Sequence, residues 1–175
     1  MVWGPHGQWR RRIGVAATAL VLSGCASTGP RVENGIFRAP DLFRVTVPGP
    51  DWDVATASRA DLELRHRGTR AGIIANAECG DELARRDVDL LARRLFVGLR
   101  GRQVIENGTA TVGGAPAVHA VMDARVTGAD DPVRLEAFVV KDGRCVYDLV
   151  YVAPAAAFAE RRSDFQRFVE SFVRE

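Results

Sequence analysis

The chain has 175 residues, 24 Lys and Arg against 22 Asp and Glu, a formal net charge of +2, and 47% hydrophobic side chains. That length supports a core without help from metal, and the near balance of charge leaves no basic face of the kind that grips nucleic acid. Arginine supplies every basic residue except Lys141; codon usage in a GC-rich genome explains this more simply than an anion site, so no partner is drawn from it.

Arg10, Arg11 and Arg12 form a positive cluster ahead of the apolar stretch Ile13 to Leu22, and small residues then lead into a cysteine in Leu22-Ser23-Gly24-Cys25. This basic, apolar and small-residue order is that of an export signal, and the apolar run is shorter than the roughly 20 residues that span a bilayer. The tetrapeptide resembles the lipobox of bacterial lipoproteins. The resemblance implies that residues 1–24 are a signal peptide and that Cys25 becomes the lipid-carrying N-terminus. Two or three acyl chains would anchor the chain durably without any protein span. Ala26 follows the cysteine instead of the aspartate that retains many lipoproteins in the inner membrane, which points to the outer membrane, facing the periplasm.

Removing residues 1–24 takes away three arginines and no acid, leaving 21 basic against 22 acidic groups in 151 residues. Residues 25–35 include Ala-Ser-Thr-Gly-Pro and Asn34-Gly35, small and turn-prone, and read as a flexible tether. A single domain is expected over 36–175. Phe43 to Val47 alternates apolar and polar as a strand does, ends at Pro48-Gly49-Pro50, and is followed by Trp52 as an aromatic anchor. Leu62 to Arg65 and Gly72 to Ala77 read as two more strands, joined through Arg67-Gly68-Thr69.

Between Asp81 and Leu99 the period changes to that of a helix, with Val88, Leu91, Leu95 and Leu99 on one stripe and Gly101 as its stop. Gln103 to Glu106 and Thr109 to Val112 then look like a tight hairpin about Asn107-Gly108. Beyond the Gly113-Gly114 turn, Val118 to Val126, Val133 to Val140 and Cys145 to Val152 form an antiparallel meander. Pro154 opens a last helix whose Phe158, Phe165, Phe168, Val169 and Phe172 form an apolar stripe that closes the core.

Cys79 and Cys145 both fall at strand edges, and an oxidising compartment would favour a disulfide between them. The other reading is two small buried apolar residues. The domain keeps two histidines, His66 and His119, neither at the spacing of a zinc signature such as His-Glu-x-x-His. A hydrolytic or metal site would require one of them to converge with distant acids such as Asp123 or Asp148. No nucleophile elbow, phosphate loop or dinucleotide fingerprint appears, and Asp130-Asp131 sits in a proline-containing turn where solvated acids are ordinary. No catalytic residue, metal or cofactor is assigned.

The Phe-x-Val-x-Val-Pro strand with Trp52 behind it, the helix, the Gly113-Gly114-x-Pro116-Ala117 turn, three long strands and a terminal helix ending Phe168-Val-Glu-Ser-Phe172 together resemble the PsbP/Mog-type domain. The resemblance spans about residues 36–175. It implies an α+β fold, a central antiparallel sheet of about six or seven strands flanked by helices in an α/β/α sandwich. Members are non-enzymatic accessory proteins, and the photosynthetic and Ran-binding roles of the named relatives have no matching residues here. The expectation is a lipid-anchored, non-catalytic envelope accessory domain, its partners the membrane through the lipid and an envelope protein. A binder of a small apolar ligand is the alternative, with a hydrolase or metal enzyme behind it.

Overall fold

Alternating apolar and polar residues commit most of the chain to antiparallel strands, and two changes of period insert helices among them. The computed structural model describes residues 32–126 and 131–175. The basic cluster, the lipobox with Cys25, and Asp130 lie outside the described residues. In chain order there are strands β1 (Val32–Glu33), β2 (Ile36–Ala39), β3 (Phe43–Thr46), β4 (Trp52–Val54), β5 (Leu62–His66) and β6 (Gly72–Cys79). Helices α1 (Asp81–Ala84) and α2 (Val88–Leu95) follow, then strands β7 (Arg100–Val112), β8 (Ala115–Arg125), β9 (Val133–Asp142) and β10 (Cys145–Pro154). A 3-10 turn (Ala155–Ala157), helix α3 (Phe158–Glu170) and strand β11 (Val173–Arg174) complete the fold.

Seven strands form the main sheet in the order β4-β5-β6-β10-β9-β8-β7, and a second sheet of four runs β1-β2-β3-β11. All the pairings are antiparallel. On one face of the main sheet, Tyr147, Leu149 and Tyr151 of β10 pack with Phe158, Phe165 and Phe168 of α3 and with Phe37 and Phe43 of the small sheet. On the other face α1 and α2 set Leu83, Leu91 and Ala92 against Val118, Val139 and Val146. The expected α+β sandwich is therefore present, with the main sheet between helices.

Phe43–Thr46 does not open the main sheet; it belongs to the small one, where β11 pairs with it at Val173↔Arg44 and Arg174↔Phe43. Returning the C-terminus to β3 brings Phe172 within 5.8 Å of Phe43 and 5.3 Å of Tyr147, ring to ring. Val32–Glu33, at the end of the expected tether, already pair with β2 across Asn34 and Gly35, whose φ angles are 52° and 75°. Trp52 is an anchor on an edge strand, and its indole Nε1 donates to Asp164 Oδ2 on α3 at 3.0 Å.

Two further expectations are corrected. The helix expected over Asp81 to Leu99 is two pieces: Asp87 accepts from the Asp89 amide at 2.8 Å and so caps a new helix, and Gly98, at φ 94°, turns the chain away before Leu99 can join it. Asn107-Gly108 is not a hairpin. Both residues sit inside β7, paired Asn107↔Ala120 and Gly108↔His119. The reversal occurs at Gly113-Gly114, where both φ angles are positive (55° and 78°), as a two-residue hairpin requires. A Cβ on Gly113 would lie 3.0 Å from Phe172 Cδ1 and 3.1 Å from its carbonyl oxygen, so space as well as φ reserves that position for glycine.

Candidate functional site

Pairing register decides which of the residues singled out in the sequence can meet. His119 stands opposite Phe138, and Phe138 opposite Leu149. The three therefore share the α3 face, while Asp148, one residue along β10, points to the α2 face. His66 is also on the α3 face, since Leu64 and Leu62 share its parity and Leu62 pairs with Ala75 and Ala75 with Leu149. Four strand steps nonetheless part β5 from β8, about 19 Å at the usual spacing. Asp123 shares the face and strand of His119 but lies four residues on, about 13 Å away. Sheet geometry thus keeps His66 and His119 apart from each other and from Asp123 and Asp148, the acids singled out in the sequence.

Each histidine is instead engaged locally. His66 is buried, its ring 5.2 Å from that of Trp52, and its Nδ1 accepts from the Gly68 amide at 3.1 Å. In the neutral ring the proton therefore sits on Nε2, which is buried without a hydrogen-bond partner. His119 stacks on Phe138 with ring centroids 4.5 Å apart, and its Nε2 donates to Glu136 Oε1 at 2.9 Å.

Glu136, not foreseen from the sequence, is the centre of the polar cluster on this face. It is 2% exposed and accepts two bonds from Arg162 of α3, from Nε at 2.8 Å and Nη2 at 3.0 Å. Arg162 also reaches Glu106 of β7 at 3.5 Å, and its guanidinium lies 5.7 Å from the centroid of Phe158. Beside it Arg134 donates to both oxygens of Asp123, at 2.7 and 2.9 Å. The bond from Arg134 holds the Asp123 carboxyl below its ordinary pKa, and the bond to Glu136 raises that of Arg162. A forked guanidinium on a buried carboxylate is strong and directional. Chemically the cluster is a lock: the Glu136 oxygens are occupied by three donors, leaving little to abstract a proton from a substrate. It ties α3 to β8 and β9 beside the apolar contact that Phe165 makes with Phe138, ring centroids 6.0 Å apart.

No family model matches the chain, and no curated protein sequence matches it either. Solved structures do. CyanoP, the cyanobacterial PsbP of Synechocystis sp. PCC 6803, superposes with a TM-score of 0.59 at 12% identity over 88% of this chain and 99% of its own. The chain has a PsbP-like fold. LpqN, involved in cell envelope biogenesis of Mycobacterium tuberculosis, gives a TM-score of 0.57 at 18% identity, over 78% of this chain and 86% of that one. A Bacteroides thetaiotaomicron protein reaches 0.59 at 8% identity over 82% of this chain and 49% of its own. At such identities the likeness concerns the fold alone.

On the opposite face of the PsbP-like sheet, Asp148 is enclosed near Leu83, Leu91 and Leu95, with Glu78 alongside. Burial first, and then the Glu78 charge, push its carboxyl up to about 6. The folded protein therefore binds this proton more tightly than the unfolded chain. The stability linked to it is fully present below the ordinary value of 3.8 and is lost as pH rises through about 6. Asp148→Asn is expected to stabilise the domain by about 2–3 kcal/mol at pH 8 and by little at pH 4. Urea unfolding of both proteins at the two pH values measures this, and equal gains at both would show that the Asp148 charge carries no penalty.

β6 and β10 are neighbours in register, Cys145 faces Cys79 directly, and the two sulfurs are bonded with 4.1 Å between the α-carbons. The signal for Glu136 was legible in the strand Val133 to Val140: it shares the parity of Phe138 and Val140, which face the core. Nothing in the sequence pairs it with Arg162, 26 residues later.

Proposed function

We propose that this chain is an exported, lipid-anchored accessory domain of the bacterial envelope that acts by binding and not by catalysis. The Cys79–Cys145 disulfide is the observation that carries the reading, because such bonds persist in oxidising compartments and not in the reducing cytosol. It concurs with the lipobox ending at Cys25, a feature far removed from it in the chain. Among the described residues no helix is long and apolar enough to cross a membrane, and the attachment we assign is the lipid on Cys25, on the strength of the lipobox pattern. The occupied histidines and acids support a binding role, and an envelope role accords with what is said of LpqN. Ala26 after the cysteine supports assigning the anchor to the outer membrane.

Cys25→Ser tests the anchor. The wild-type chain is expected in the membrane fraction as a shorter, acylated species, and the variant as an uncleaved or soluble one. Membrane attachment of a cleaved Cys25→Ser protein would refute the lipoprotein reading. Crosslinking from native membranes, with the same variant as control, is expected to yield an envelope protein that the control lacks. The alternative, a small apolar ligand, is favoured by one feature of the α2 face.

A further inference from the structure

Helix α2 is eight residues long and β7 thirteen, so the helix leaves part of the outer sheet uncovered. Where its last turn passes over β8, the facing residues are small: Ala92 on the helix and Ala120 on the strand. The space left is an open cleft of ≈ 270 Å³, whose apolar lining is Ala92, Phe96, Val104, Val118, Ala120 and Met122. Small-molecule sites begin at about 300 Å³, so the cleft suits one medium acyl chain and is too small for a two-chain lipid.

Its rim is polar and net positive. Arg93 and Arg102 stand there with Asp89 and Asn107. Arg102 leans towards the Phe96 carbonyl at 3.5 Å, and Arg93 makes no ion pair with the other described residues. The surroundings are also apolar: Leu90 on α2, Val97 just after it, Val104 and Ile105 on β7 and Val126 just past β8 are 40–78% exposed. Among the described residues, Val173 is the one other large exposed hydrophobic side chain. An apolar slot with two guanidiniums at its mouth is complementary to a molecule with a hydrocarbon tail and a single anionic head.

We propose that the cleft between α2 and strands β7 and β8 binds a single-chain anionic amphiphile, its alkyl tail over Ala120 and Met122 and its head group, a carboxylate, at Arg93 and Arg102. The site does not depend on the lipid anchor, so failure of either proposal leaves the other standing.

Met122 supplies a reporter inside the cleft, since the only other methionine is Met1. The full chain, labelled with 13C at the methionine methyls and held in phosphatidylcholine nanodiscs, is titrated with sodium dodecanoate below its micelle threshold. A saturable shift of the Met122 methyl is expected. Binding should weaken about tenfold or more when dodecyltrimethylammonium replaces dodecanoate, and likewise in Arg93→Glu/Arg102→Glu, whose changes are confined to exposed side chains. Ala120→Leu, which fills the slot, should abolish the shift. No movement of Met122, or equal movement with either surfactant and in the charge-reversed protein, overturns the proposal. A shift caused by phosphatidylglycerol in the disc, without dodecanoate, would assign the cleft to the bilayer surface and overturn it as well.

Discussion

Phe168→Ala is expected to lower the unfolding free energy by about 3–5 kcal/mol, the range for deleting a large aromatic side chain from a packed core. Phe168 is 0% exposed, and its ring lies 6.3 Å from that of Phe165, which in turn stacks on Tyr151 at 5.7 Å. That Tyr151 ring is held from the other end by its hydroxyl, which donates to the Phe158 carbonyl at 2.9 Å. The neighbours of Phe168 therefore cannot collapse into the space that the truncation leaves, which places the cost towards the upper part of the range. Urea unfolding should show a lower midpoint with an unchanged slope. Wild-type stability in Phe168→Ala would mean that the stripe on α3 does not close the core.

The second large effect is expected from the disulfide. Cys79 and Cys145 are separated by 66 residues, a loop that includes both helices of the α2 face and strands β7, β8 and β9. Closing a loop of that length restricts the unfolded chain enough to stabilise the native state by about 4 kcal/mol on a chain-entropy argument. Cys79→Ser/Cys145→Ser, or the wild type under reductant, should lose roughly that amount, about 2–4 kcal/mol. The proteins are compared by chemical denaturation with and without dithiothreitol. Insensitivity of the wild type to reductant would show that the bond contributes nothing, and would remove the main support for an oxidising compartment.

Local signals in the sequence were sufficient for several elements. The three long strands after the Gly113-Gly114 turn occur close to where their apolar runs put them, because each is buried on both faces, against α3 on one side and α2 on the other. The stripe on the last helix is core for a similar reason: Phe158, Phe165 and Phe168 recur on one side of α3, and only the sheet could cover them. The Asn107-Gly108 dipeptide misled because turn propensity is a local preference. Ten ladder pairs along β7 outweigh it, while Gly113-Gly114 offers the reversal at lower strain.

The sequence by itself determined the class of fold, the approximate strands and the aromatic core of the last helix. All of these depend on residues close together in the chain, whose spacing reflects one buried face or one capped end. Tertiary structure alone decided what meets across the sheet. It put His119 against Glu136 and Arg162 and kept Asp148 on the other face. It also gave β3 to a second sheet through β11, and left a cleft where Ala92 passes over Ala120. These outcomes follow from strand order and from which short side chains face one another between distant segments, and neither quantity is written in the local period of the sequence.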